Sequence, residues 1–515
     1  MTSSATIPEP AVPPRRWATL LHFFSFSFGF MALRFILMPV QIFVVTHFLT
    51  KEQYGTLTLV IMTVSFLAVI SSLGHLEFLV RRLPGRPPEF QGGVLKLVWR
   101  WFGTLSAVLA VIVVTVLLVV HPAKVPIGPI PLVTAGLYLV CLVFVLERIF
   151  FLLARADWIR VRTLQLIYSD TWFIPLLAVA AFATLSLGKV LAVWFLWLLV
   201  AAVLAHRWVA PAVRAGDERP VRIGEVLRFG VPLLPLLLGE WLIRLSDRYV
   251  LVSVRDAVAV ANYSICFNIA FIVYTVGASV LDLFVPEFNK ARNQIASRNV
   301  RDVAASQPLR SLFTTMLRYC LILALTGGLF VAICGRQLLA LISGDKYQDA
   351  AHIIPFLTLV PLFFLLWGVF NRILLAMDKT RVIGGVTLTV AMVNLGMNLL
   401  FVPRWGEIGC ALAVTTSLAF LAVFSAVYAR GWLWIVWPRV MLPRLLVLVG
   451  LNAAGILLAR ALLGSHPLFC LLAAAAWCTV WIVVLRLVHW DDWSALALMP
   501  IKEIEEDLPH EDLVS

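Results

Sequence analysis

The chain has 515 residues, 61% of them hydrophobic and only 13% charged, with a mean hydropathy of +0.95. A soluble chain of this length would divide into several domains with polar surfaces at about half apolar content, so a soluble enzyme or scaffold is excluded. The net charge of +13 is dispersed over short segments between apolar runs, which excludes a nucleic-acid footprint.

A proline-containing tail (1–16) reads as solvated. Apolar runs then follow almost end to end, each long enough to cross a hydrocarbon core of about 30 Å. Predicted spans cover 17–47, 54–73, 94–120, 129–153, 164–185, 187–209, 226–252, 260–285, 311–340, 351–376, 381–402, 407–430, 438–463 and 465–489. The expected fold is therefore all-α and polytopic, with about 14 transmembrane helices. Pro39, Pro232 and Pro235 are expected kink sites. The first run is too long for a cleaved signal peptide, and no small-residue cleavage site precedes a soluble domain. With the N-terminus inside, Lys and Arg concentrate on segments that share one face, among them 81–100, 148–162, 207–228 and 290–318. That asymmetry predicts cytoplasmic N- and C-termini. The acidic tail beyond 490 lies on the same side.

The two halves match in order. Gly29-x4-Arg34 in the first span corresponds to Gly239-x4-Arg244 in the seventh, Tyr54 corresponds to Tyr263, and RIFFLLARAD (148–157) resembles RILLAMDKTR (372–381). Two six-span halves entering from the same side imply parallel repeats about an axis along the membrane normal, with substrate bound between them. The expected division is 17–209, a linker 210–225, 226–430, and two extra helices within 431–489, flanked by the tails 1–16 and 490–515.

The stretch GEWLIRLSDRYVLV (239–252) places Glu240, Arg244, Asp247 and Arg248 in an otherwise apolar helix. At 100° per residue they fall at about 0°, 40°, −20° and 80°, one face of the helix. Each charge at a helix centre costs about 2.5–3.5 kcal/mol. Pairing of Glu240 with Arg244 and of Arg244 with Asp247 recovers part of it, and the remainder requires water. The face is thus expected to line a hydrated cavity, although Arg244 and, more so, Arg248 also suit snorkelling to the outer interface. Arg34 stands at the position equivalent to Arg244, and two symmetric guanidinium groups suit bidentate binding of phosphate oxygens. Among the other intramembrane ionisable residues, Glu147 adjoins Arg148 and reads as one half of a structural pair. Asp170 has no local partner; it either carries a coupling proton or sodium ion or bonds a neighbouring helix. His75 and Glu77 lie near the inner end of the second span.

The seven cysteines are scattered singly through apolar segments, with no spacing for a metal or disulfide framework. No cofactor or metal is expected. Searches for a nucleotide-binding G-x-x-x-x-G-K-[ST], for G-x-S-x-G and for H-E-x-x-H find none, so the sequence reads as a transporter rather than an enzyme.

Three stretches carry a resemblance. FLTKEQYGTLTLVIMTVSFLAVISSLGHLEFLVRRLP (48–84) resembles the first helical hairpin of the polysaccharide-biosynthesis flippases. LRFGVPLLPLLL (227–238) is similar to their seventh-span entry. The segment 346–417, with Asn394, Asn398, Pro403, Gly406 and Gly409, is similar to their spans ten to twelve. Where that family usually has an acidic ending of span two, this chain reads Ser72-Leu73-Gly74. The resemblance is to a branch of the multidrug/oligosaccharidyl-lipid/polysaccharide (MOP) superfamily. It implies two MATE-like six-helix lobes in a V and alternating access in the bacterial cytoplasmic membrane. The implied substrate is a polyprenyl-diphosphate-linked oligosaccharide for O-antigen, capsule or exopolysaccharide. Arg34, Arg244 and Arg248 would bind the diphosphate. Glu240, Asp247, Asp170 and Glu147 would support the cavity or couple an ion, H+ or Na+. Expected partners are membrane lipids and a polysaccharide polymerase or glycosyltransferase. A cation-coupled multidrug exporter and a lipid II-type flippase are the alternatives.

Overall fold

The computed structural model describes residues 29–30, 33–34, 36–120, 127–155, 157–216, 221–283, 307–376, 379–430, 441–463 and 466–484. Among them all regular structure is helical. Eleven helical segments are long and apolar enough to cross a membrane, and three shorter apolar helices, Ile36–Phe48, Val360–Arg372 and Pro467–Ile482, stand where further spans were expected.

The first short helix, α1 (Ile36–Phe48), meets α2 (Lys51–Ser72) in a tight turn. Thr50 closes it as a capping box: its hydroxyl accepts from Gln53 N at 3.1 Å and Gln53 Oε1 accepts from Thr50 N at 3.2 Å. At the far end of α2 the chain reverses hand at Leu73 (φ 42°) and Gly74 (φ 76°) before α3 (His75–Arg82). The third span combines α4 (Pro88–Val98), a π turn (Trp99–Gly103) and α5 (Thr104–Val120); the fourth is α6 (Pro129–Ala154). The fifth has α7 (Trp158–Gln165), a second π turn (Leu166–Asp170) and α8 (Phe173–Phe182). The sixth, α9 (Leu187–Ala215), runs on through Pro211 past its expected end at 209.

The second half opens with α10 (Ile223–Gly230), a 3₁₀ turn (Val231–Leu233) and α11 (Leu234–Val254). Pro232 sits in the 3₁₀ turn and Pro235 in the first turn of α11, where a missing N–H is tolerated. Then come α12 (Ala257–Leu283), α13 (Gln307–Ser343), a 3₁₀ segment (Gly344–Ile353), α14 (Ile354–Leu357) and α15 (Val360–Ala376). A hairpin of α16 (Thr380–Trp405) and α17 (Glu407–Arg430) completes the half, followed by α18 (Met441–Leu463) and α19 (Pro467–Val484). These last two pack on α13.

Helix α5 shows what solvent the fold is built for. Val111, Ile112, Val116 and Val119 are exposed while Ala110 is buried, yet both faces are equally apolar. A helix apolar all round belongs in lipid. The halves meet where α2 packs on α12 and α11, and where α3 packs on α10. Small residues permit the approach: a Cβ on Gly55 would run into the Ala257 carbonyl oxygen, and one on Gly230 into that of Leu73. The Asn-x3-Asn motif is structural. Asn398 Nδ2 donates to Asn394 Oδ1 and Asn394 Nδ2 to Ser417 Oγ, both at 3.0 Å, tying α16 to α17. Gly406 (φ 56°) turns between them.

Candidate functional site

Asp170 is the last residue of the π turn in the fifth span. The wider turn changes the helix register locally, and the carboxylate meets Arg34 from the first span. Arg34 Nε donates to Asp170 Oδ1 at 3.2 Å and lies 3.0 Å from Oδ2, while Ser169 Oγ donates to Oδ1 at 3.1 Å. Asp170 is buried, whereas the Arg34 side chain is 37% exposed. The pair engages Nε, and the two Nη groups of a guanidinium fork are the ones suited to gripping a second anion.

In α11 the charged stripe divides into two. Its first part is accessible: Arg244 Nη1 lies 3.4 Å from Glu240 Oε1, with the two side chains 31% and 33% exposed. The guanidinium stacks over Phe271 (4.9 Å) and Phe364 (5.3 Å), and its Nε is buried with no hydrogen-bond partner among the described residues. Two rings hold the plane of the group fixed.

The second part corrects the expectation that all four charges line a hydrated cavity. Asp247 and Arg248 are buried in the second half, 0% and 1% exposed. Arg248 Nη1 donates to Asp247 Oδ1 at 2.8 Å and to the Arg244 carbonyl at 2.6 Å, and the guanidinium lies over Tyr263 and Phe267. Tyr263 Oη donates to Asp247 Oδ2 at 2.6 Å. The reason is α12: it covers this part of α11, and its tyrosine takes the carboxylate that was expected to reach Arg244. Arg248 neither snorkels nor faces a cavity.

Glu147 is likewise wholly buried and does not line an accessible cavity. Its Oε2 accepts from Arg148 Nη1 at 3.0 Å, the pairing expected, and His75 Nε2 stands 3.3 Å from Oε1. Arg148 also lies over the Phe144 ring at 3.2 Å. All seven cysteines are free and buried.

A cavity of about 460 Å³ lies between α2, α5 and α6, with Tyr249 and Val252 of α11 as its wall from the second half. Its lining is apolar apart from the hydroxyls of Thr63 and Tyr249, which bond each other at 2.7 Å. With its polar atoms self-satisfied, such a space favours hydrocarbon over water.

Sequence reasoning passed over a clamp on the α1–α2 turn. Lys51 Nζ pairs with Asp349 at 2.7 Å. Lys346 Nζ donates to the Thr46 carbonyl at 2.9 Å and to that of Leu49, capping the C-terminal end of α1 with a positive charge. Tyr347 packs edge-on against Tyr54, whose hydroxyl accepts from Asn268 Nδ2 at 3.2 Å. The surplus of polar residues in KYQD (346–349), between two apolar runs, was the available signal.

Residues 23–290, just over half of the chain, match the family model described as polysaccharide biosynthesis protein. Among solved structures, the chain is similar to the lipid II flippase MurJ in an inward-closed conformation, with TM-score 0.67 and 12% identity over 90% of this chain and 99% of that one. It is also similar to an inward-facing multidrug-resistance MATE transporter of the MOP superfamily (TM-score 0.56, 15% identity, 77% and 93% covered). A MOP transporter from Pyrococcus furiosus described as having a binding pocket of reversed polarity matches with TM-score 0.55 at 12% identity, over 79% and 92% of the two chains. A search of curated proteins finds no match. Identities this low speak for the fold alone, and the family model speaks for descent: the chain belongs to the polysaccharide biosynthesis protein family and has the fold of the MOP-superfamily transporters.

Proposed function

We propose that the protein is a flippase that carries a polyprenyl-diphosphate-linked oligosaccharide across the bacterial cytoplasmic membrane by alternating access. Both termini would be cytoplasmic and the Lys51–Asp349 clamp would close the outer face. The observation that supports this most is the pair of half-exposed arginines, one per half, each braced by a carboxylate and each with donors left for a ligand.

The carboxylates define how the site works. Arg34 and Arg244 are largely neutralised at rest, which lowers the cost of keeping them inside a membrane protein. A diphosphate brings two negative groups and competes for the same forks. When it arrives, Arg34 turns its Nη atoms to one phosphate while Asp170 keeps Nε, and Arg244, held between Phe271 and Phe364, offers the other phosphate the Nη group that Glu240 does not engage. The lipid chain stays in the bilayer as the head group crosses. Asp247 and Arg248 serve the scaffold. A coupling ion, H+ or Na+, and contact with a polymerase or glycosyltransferase belong to the same reading. A lipid II-type substrate carries the same diphosphate and would use the same arginines.

The test is translocation of a fluorescent polyprenyl-diphosphate oligosaccharide in proteoliposomes. Arg34→Ala combined with Arg244→Ala should abolish it while the protein elutes and unfolds as the parent does. Lysine at both positions should restore only part of the rate, because an ammonium is a point charge without the bidentate fork. Undiminished translocation by the double alanine variant overturns the proposal. Efflux of cationic drugs by the parent, without lipid translocation, points instead to the multidrug exporter.

A further inference from the structure

His75 Nε2 and Glu147 Oε1 stand 3.3 Å apart, both are buried, and neither has a hydrogen bond among the described residues. The other atoms of the two side chains are committed. His75 Nδ1 lies 2.5 Å from the Ser72 carbonyl oxygen; a carbonyl offers only lone pairs, so Nδ1 carries a hydrogen. Glu147 Oε2 accepts from Arg148. In a neutral imidazole Nε2 therefore turns a lone pair toward a carboxylate oxygen, an unfavourable contact in a desolvated place. One proton, on Nε2 or on Oε1, converts it into an attractive one.

We propose that His75 and Glu147 bind one proton between them, and that its presence is linked to the contact between the two halves at Gly74 and Gly230. His75 directly follows Gly74, whose backbone abuts that of Gly230 so closely that neither admits a Cβ. The imidazole is stacked on Phe102 at 4.1 Å, so it cannot leave Glu147 without moving α3. That helix reaches the second half again through Phe78, edge-on to Phe229 at 5.7 Å. The surrounding charges leave the pair to itself. From α6 only Arg148 joins Glu147; Arg100 of the first π turn and Glu225 and Arg228 of α10 are exposed; Glu77 and Arg81 on α3 pair with each other at 4.0 Å. The proton stabilises the conformation in which the α3–α10 contact is made. The contact is therefore favoured while the proton is bound and weakened once it is lost. As the coupling ion of the cycle, this proton rests on the flippase reading; as a binding site linked to the contact it does not.

The experiment uses the full chain in lipid nanodiscs with Phe78→Cys and Phe229→Cys, cross-linked by a short bifunctional thiol reagent across a pH series, with no substrate present. One linked proton changes the ratio of made to broken contact by at most about tenfold per pH unit, with cross-linking falling as pH rises. His75→Gln and Glu147→Gln should each flatten the profile. Glu147→Asp keeps the charge, withdraws the oxygen and shifts the midpoint, which serves if a glutamine variant does not fold. A cross-linking yield independent of pH in the parent pair, or a profile and midpoint unchanged in these variants, overturns the proposal. Because the readout needs no transport, its failure is distinct from failure of the flippase assay.

Discussion

Asp247→Asn removes the charge from a carboxylate that is 0% exposed and leaves Arg248, 1% exposed, with no counter-charge. Breaking a buried ion pair from one side costs about 3–5 kcal/mol. Here the lower end applies. Asparagine still offers an oxygen to Tyr263, and Arg248 keeps its bond to the Arg244 carbonyl at 2.6 Å. A loss of about 3 kcal/mol is expected. Combining Asp247→Asn with Arg248→Met removes the stranded guanidinium and should recover most of that loss, since exchanging both members of a buried pair for uncharged groups is often near neutral. Glu240→Gln, one third of the way down the same helix face, should cost at most about 1 kcal/mol because both partners there are a third exposed. Stability is read from reversible unfolding in mixed detergent micelles. Equal damage from Glu240→Gln and Asp247→Asn, or no rescue by the second substitution, would refute the division of the α11 charges into a scaffold pair and a site pair.

Exchanging the charges of the clamp gives a second expectation. Lys51→Glu or Asp349→Lys alone should loosen the α1–α2 turn and raise labelling of a cysteine placed at Thr50, while the double exchange should return labelling toward the parent; absence of rescue would exclude a direct pair. Asp170→Asn removes the brace on Arg34 without removing the guanidinium, so the KM for lipid-linked substrate should change several-fold while the protein still translocates. A complete loss of transport by that variant would instead place Asp170 in ion coupling.

The apolar spans were legible because length and composition decide them, and the long described helices overlap the spans that hydropathy placed; the short polar helix α3 lies between two of them and has no hydropathy signal. The hairpin built on Asn394, Asn398 and Gly406 was legible as a resemblance, yet its role in binding α16 to α17 is visible only in the hydrogen bonds. The matched arginines could be found from the repeat. The partner of Arg244 could be found as well, since Glu240 stands one turn before it. The partner of Arg34 could not: Asp170 is brought to it by a π turn, and no local period in LIYSD announces one. Helical geometry correctly put Glu240, Arg244, Asp247 and Arg248 on one face, but a wheel contains no neighbour. Helix α12 closes half of that face, and Tyr263 decides where Asp247 points.

Lys346 caps the helix that follows Arg34. From Ile36, two residues after Arg34, to the capped carbonyl of Thr46, α1 rises about 15 Å. Prising the clamped face apart strips the cation from those carbonyls, which must then turn to water or to another donor, and the loss is felt by a rigid rod whose other end neighbours Arg34. In the proposed cycle, grip and gate are two ends of one lever.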